Sequence, residues 1–266
     1  MGIIMTQNEE YLPEIQEEKK RDVPTGLYKQ ITSKKVFRGT PPLAGSGSLL
    51  ALKLSQQVFD KAIYVFSERS TLAGIAPSLV TCRPLAAAIG SSRATKDVSV
   101  VCFIDVTTAK ETLPGLLAAA ERGEGLTVVC TNTHWLPRQP SLARYFRTGY
   151  SAAASVGFPD DYIQKLIKCR DKRGFRFIDV LCPEPHLWSI EPSMTVSVAR
   201  LASQTKLWPL YEAEEGFAKL TRRPDVEPVE RYLESHGRAR KATTDVGLLQ
   251  RFADRYWKQL ADGMLL

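Results

Sequence analysis

Val98–Trp135 reads VSVVCFIDVTTAKETLPGLLAAAERGEGLTVVCTNTHW. Val98–Ile104 is an apolar run rich in β-branched residues, the composition of a strand buried on both faces. Asp105 sits where that run ends, followed by Thr107 and Thr108. Glu111–Gly123 predicts one helix, with Leu113, Leu116, Leu117 and Ala120 on one side and Gly123 and Gly125 stopping it. Leu126–Cys130 is a second buried strand, and Thr131, Asn132, Thr133, His134 and Trp135 follow it. The stretch is a βαβ unit, whose crossover is right-handed in nearly all proteins. Ligands of open α/β sheets sit outside the carboxyl ends of the strands. Asp105 and the Asn132–His134 segment are therefore expected on one rim.

Outward from this unit the same alternation recurs. Ala62–Phe66 and Phe175–Cys182 are further apolar strands. Ser48–Phe59, Pro84–Arg93 and Pro159–Arg170 predict helices, with Ser48 as an N-cap and Tyr162, Ile163, Leu166 and Ile167 as the buried stripe of the third. Asp160 and Asp161 suit its positive end. Four or five strands alternating with helices specify a mostly parallel sheet covered on both faces. Leu136–Phe158 reads as a loop-rich connection whose arginines could grip an anion or simply face water. Ala44-Gly45-Ser46-Gly47, ahead of a helix, is either an anion cradle or a plain connection.

The 266 residues, 44% of them hydrophobic, suffice for one large α/β domain. The 36 basic and 29 acidic side chains give a formal charge of +7, but the basic residues are scattered. A nucleic-acid surface wants a concentrated stripe with aromatics, so no nucleic-acid role is expected. The five cysteines form no C-x-x-C pair, which argues for free thiols in a reducing cytoplasm rather than a local metal site. No signal-peptide core or membrane-length run is present. Three parts are expected: an arm over 1–36, the α/β domain over 37–188, and a C-terminal tail over 189–266. The tail carries Trp188, Trp208, Tyr211, Tyr232 and Trp257 near or within it and should wrap the domain or a neighbouring subunit.

The tail also carries a resemblance. Ser155–Trp188 (SVGFPDDYIQKLIKCRDKRGFRFIDVLCPEPHLW) and Met194–Glu212 (MTVSVARLASQTKLWPLYE) resemble the β subunits of pyruvate and related 2-oxoacid:ferredoxin oxidoreductases. Those subunits carry P-x-D-L-I-x-K, K-G-P-x-F-I-x-V, P-C-P-x-G-W and W-P-L-Y-E. Val226–Arg238 (VEPVERYLESHGR) resembles their K-P-V-x-E-Y-L-x-x-Q-G-R. The likeness extends upstream over most of the chain. It implies a thiamine diphosphate-binding α/β fold, Mg²⁺, an α-type partner subunit in a hetero-oligomer, and a share in 2-oxoacid oxidation.

At the chemical motifs this chain departs from the family. Leu43-Ala44-Gly45-Ser46-Gly47 stands where the family has C-x-G-C-G, and Ser67-Glu68-Arg69 where it has T-G-C. An iron–sulfur cluster needs thiolates, so none is expected on this chain. Ile104-Asp105-Val106 replaces the G-D-G of the cofactor motif, and side chains at the two glycine positions obstruct close approach of a diphosphate. Thr131-Asn132-Thr133-His134 stands for Tyr-Asp-Asn-Glu. Thr133 takes the metal-binding Asn position, or Asn132 does after a one-residue shift. The resemblance therefore implies Asp105, Thr107, Asn132, Thr133, Gly45 and Gly47 as cofactor contacts, with Asp105, Asn132 and Thr133 on the metal. The plainer reading makes Asp105 a cap of the following turn and His134 structural. Two functions follow: a β-type subunit with altered cofactor contacts, or a non-catalytic subunit, a pseudoenzyme, that keeps the fold for assembly.

Overall fold

The computed structural model describes residues 44–264, apart from 71, 73–78, 96, 137–139, 224 and 241–244. The expected arm, Leu43, Pro137 and Arg138 lie outside the described residues. The opening βαβ unit is present as β3 (Ser99–Asp105) and β4 (Thr127–Asn132), paired in parallel with Cys102 opposite Val128 and Asp105 opposite Thr131. The single helix expected between them is two. One runs Val106–Glu111 and the other Leu113–Glu121, with Thr112 at the joint. The break has two local causes: Asp105 starts a helix earlier than the apolar period does, and Pro114 brings no backbone N–H to continue it.

The other elements before the sheet's centre are helix α1 (Gly47–Val58), β1 (Ala62–Ser67), β2 (Leu79–Thr81) and helix α2 (Pro84–Ala94). Ser46, not Ser48, caps α1, its side chain accepting from Leu49 N. After β4 come β5 (Tyr150–Ser155), helix α5 (Pro159–Asp171) and β6 (Arg176–Leu181), α3 and α4 being the two helices of the opening unit. Short helices α6 (Pro185–Trp188) and α7 (Thr195–Gln204) lead to β7 (Tyr211–Glu214) and β8 (Phe217–Leu220). Helices α8 (Val229–Glu234), α9 (Gly237–Arg240) and α10 (Val246–Ala261) follow.

The sheet has eight strands in the order β2-β1-β3-β4-β6-β5-β7-β8. The first six are parallel and the last two antiparallel. Both faces are buried, as a parallel sheet requires. Val100, Cys102 and Ile104 pack with Ala88 and Leu116 on one side. Phe103 stacks on Phe66 at 5.4 Å on the other. The strand β5 was not anticipated, because its sequence, YSAAAS, has little β-propensity of its own. Small residues serve there because neighbours press close. A Cβ on Gly157, just past the strand, would sit 2.3 Å from Arg200 N. The Ala153 and Ala154 carbonyls accept from Lys165 Nζ (2.7 Å) and Trp208 Nε1 (2.6 Å).

The tail supplies β7 and β8 to the same sheet and a cluster of its own. In that cluster Trp188, Trp208, Val198, Leu210, Val229, Tyr232 and Leu249 are buried together. Residue 165 was unexpected: the helix-α5 stripe contains a fully buried lysine, held by Asp161 at 2.5 Å and Thr221 Oγ1 at 3.0 Å besides Ala153. Burial pushes its ammonium below the ordinary lysine pKa, while Asp161 pulls it back up.

Candidate functional site

Strand order turns outward from β1 to β2 and back inward from β3 to β4. The gap between β1 and β3 is therefore the topological switch point, where ligands of such sheets bind. Ser67 ends β1 and Asp105 ends β3. Asp105 is the N-cap of α3: Oδ1 accepts from Thr107 N (3.0 Å) and Thr108 N (2.9 Å), and Oδ2 accepts from Thr108 Oγ1 (2.6 Å). An Asp at this position satisfies amides that a helix start leaves unpaired and favours the positive end of its dipole. Thr108 Oγ1 also lies 3.3 Å from Ser67 Oγ, joining the two strand ends. Thr107 contributes its amide and exposes its side chain. On either side of Asp105, Ile104 and Val106 are buried in the core. Arg69 pairs with the Glu111 carboxylate at 2.9 Å.

Asn132 ends the neighbouring strand β4, and Thr133 follows it. The Asn132 side chain is held at both of its atoms: Nδ2 donates to Asp179 Oδ1 (3.3 Å), and Oδ1 accepts from His134 N (3.2 Å). Thr133 presents its carbonyl to Trp188 Nε1 at 2.8 Å. The Trp135 carbonyl accepts from the Tyr232 hydroxyl. This corner of the rim is thus tied to the tail. Partial desolvation and the Lys110 charge hold the His134 pKa below its ordinary value.

Asp179 is the residue the sequence reading missed. It lies in mid-strand on β6, opposite Cys130 on one side and Ala153 on the other. Its carboxylate is fully buried and accepts from Ser141 Oγ (2.9 Å), Leu142 N (2.7 Å) and Asn132 Nδ2. Burial raises its pKa to about 6 against the lowering effect of those donors. The available signal was an Asp inside the apolar run FRFIDVLC, where a charge requires partners.

Gly45 and Gly47 lie at the start of α1, away from Asp105 in sequence and facing the segment after β6. A Cβ on Gly45, which has φ +76°, would fall 2.3 Å from Pro192 O; one on Gly47 would fall 2.7 Å from Pro183 O. Gly47 N donates to Pro183 O at 3.0 Å. Donors that could have cradled an external anion instead meet Glu184: the Ser48 amide and the Ser46 hydroxyl both donate to its Oε1, at 3.0 and 2.9 Å.

These contacts test the groups the resemblance implies. Both Asp105 oxygens are engaged within α3, the Asn132 amide is held by Asp179 and His134, and no glycine flanks Asp105. Among the described residues no group of three or more His, Cys, Asp or Glu is placed to hold a metal ion. A Mg²⁺–diphosphate pair wants oxygen ligands and close backbone amides; here the side-chain oxygens of Asp105 and Asn132 accept from neighbours within the chain, and Ile104 and Val106 flank Asp105. At the α1 loop, Ser46 stands where the resemblance implies a thiolate. Cys182, against Gly47 at the start of α1, is buried, with its pKa pushed far up by desolvation and by Glu184. That is the opposite of a thiolate-ligand environment.

No protein-family model matches the chain. Among curated proteins it is 38% identical over 118 residues to the pyruvate synthase subunit PorB of Thermotoga maritima, covering 42% of this chain and 36% of that subunit. It is 28% identical over 270 residues to the PorB subunit of Methanothermobacter marburgensis, covering 82% of this chain and 94% of that one. The chain thus matches about a third of the Thermotoga relative's length and nearly all of the Methanothermobacter one's. Among solved structures, a 2-oxoglutarate:ferredoxin oxidoreductase from Magnetococcus marinus superposes with a TM-score of 0.48 at 15% identity, over 56% of this chain and 67% of that one.

Proposed function

We propose, for a chain that is a homologue of the β subunits of 2-oxoacid:ferredoxin oxidoreductases, that it serves as a β-type subunit of such an assembly without holding thiamine diphosphate, Mg²⁺ or an iron–sulfur cluster itself. The observation that carries this reading is the state of Asp105. It is the one acidic residue kept at the cofactor motif, and it accepts three hydrogen bonds as a helix cap between two core side chains. A metal at Asp105 would compete with the hydrogen bonds that start α3, and Ile104 and Val106 carry side chains where the resemblance implies glycines.

The retained part of the resemblance supports assembly. Trp188, Trp208, Tyr211 and Tyr232, all on quoted family motifs, are buried and hold the tail to the sheet. A fold kept in this detail while its ligand groups are replaced suits a subunit that shapes and stabilises an α-type partner. A reducing cytoplasmic setting belongs to the same reading. The five free cysteines, four of them buried, support it.

The test is calorimetric titration of thiamine diphosphate with Mg²⁺ into the assembly that co-purifies with this chain. It is run beside the same assembly carrying Asp105→Ala. The expected result is no heat that depends on Asp105, and a co-purifying chain with intact glycine and cysteine motifs. Saturable heat lost in the Asp105→Ala variant would overturn the reading in favour of a catalytic subunit with altered contacts.

A further inference from the structure

The start of α1 holds an anion that belongs to the chain. Glu184 follows β6 and is 1% exposed. Its Oε1 accepts from Ser46 Oγ (2.9 Å) and Ser48 N (3.0 Å), at the positive end of a twelve-residue helix. Ser46 Oγ in turn accepts from Leu49 N at 3.2 Å, so one serine both caps the helix and grips the carboxylate. Two further links run the same way. Gly47 N donates to Pro183 O (3.0 Å), and Thr195 Oγ1 donates to Gly45 O (2.5 Å). The contact spans 136 residues of sequence and joins the first described helix to the end of the central strands.

Anions are favoured at helix starts because unpaired amides and the helix dipole converge there. A buried carboxylate is tolerated only when its charge meets such donors. The glycines complete the fit. At Gly45 and Gly47 a side chain would collide with the Pro192 and Pro183 backbone, so the loop can lie flat against the segment that carries Glu184.

We infer that Glu184 is a built-in anionic clamp: its carboxylate fastens the 45–48 loop to the end of β6 and takes the cross-linking place that a metal cluster would hold in a chain with thiolates at these positions. The cross-linking comparison rests on the reading that this chain carries no cluster; the clamp itself rests on the hydrogen bonds. Glu184 is a positioning residue and touches no substrate.

Chemical rescue tests it, using the full chain in the assembly with which it purifies. Glu184→Ala should lower the Tm by roughly 4–10 °C, the scale of losing charge-assisted hydrogen bonds in a domain of this size. It should also speed hydrogen exchange at Gly47 and Ser48. Formate should restore much of both, because it refills the vacated carboxylate position, whereas sodium chloride at the same ionic strength should not. Glu184→Gln keeps an acceptor without the charge and should fall between wild type and Glu184→Ala, with no response to formate. Should Glu184→Ala fail to fold, Ser46→Ala, which removes one of the two donors, should give a smaller Tm loss with the same local exchange. Unchanged Tm and exchange in these variants, or equal rescue by chloride and formate, would overturn the clamp. The absorbance of the as-purified wild type is a separate readout: a shoulder near ~400 nm from thiolate-bound iron would sink the cluster-free reading and leave the clamp result standing.

Discussion

The rim at β3 and β4 and the tail from β6 onward have kept different things. In the tail, the residues that match the family motifs are packing residues. Trp188, Tyr211 and Tyr232 are fully buried and Trp208 is 2% exposed. Just ahead of the tail, the motif lysine of helix α5, Lys165, is likewise buried on three acceptors, one of them Thr221 of the tail. Glu212, the last residue of the W-P-L-Y-E match, holds Tyr150 and Lys168. At the rim, the positions where the resemblance implies cofactor contacts carry other residues, and those serve the chain's own structure. The likeness to the curated relatives is thus carried by packing residues, and sequence similarity in one region does not certify chemistry in another.

Three measurements can break or sharpen that contrast. The largest effect is expected in the tail-facing motif. Lys165→Ala leaves the Asp161 carboxylate buried beside an empty volume and should cost about 3–5 kcal/mol, the scale of breaking a buried ion pair, as read from denaturant midpoints. A loss below about 1 kcal/mol would place this match outside the packing it is held to explain.

Next is the rim. Asp105→Ala should cost about 1–2 kcal/mol, the worth of a helix N-cap. The loss should be the same with and without thiamine diphosphate and Mg²⁺. A stability loss that grows when both are present would mean that Asp105 also serves a ligand, and the contrast between the two regions would collapse.

The smallest effect concerns the carboxylate between them. The folded pKa of Asp179, about 6, lies above the ordinary value of 3.8, so the folded chain binds the proton more tightly than the unfolded one. This residue therefore opposes folding fully above pH 6. The penalty is relieved as the pH falls toward 4. Between pH 7 and pH 5 the wild type should gain roughly 1 kcal/mol relative to Asp179→Asn, since each unit of pKa difference is worth about 1.4 kcal/mol. Parallel stability profiles for the two proteins over that range would show that the buried carboxylate is fully compensated by Ser141, Leu142 and Asn132.

How much was legible varies from residue to residue. Asp105 as a turn-capping residue was readable, because an Asp between an apolar run and two threonines has a local use whatever surrounds it. The two-helix crossover was less so: apolar spacing over Leu113–Ala120 was clear, but it could not say that Asp105 would start a separate turn ahead of Pro114. Strand β5 was invisible because YSAAAS is extended for the sake of its neighbours. Asp179 looked like one residue of a strand, since its three donors come from residues 37 to 47 positions away. For Gly45 and Gly47 the sequence left an anion cradle and a plain connection both open. It took the contact with Glu184 to show that an internal carboxylate occupies that helix start.

The sequence by itself determined the alternation of apolar runs and amphipathic helices, and with it a mostly parallel sheet buried on both faces. Those properties depend on the order of residues within a few turns of chain. Only the tertiary structure decided which polar groups are already engaged. A carboxylate or an amide is available to a ligand only when no other part of the chain satisfies it, and the partners of Asn132, Asp179 and Glu184 arrive from distant segments that a local pattern does not connect.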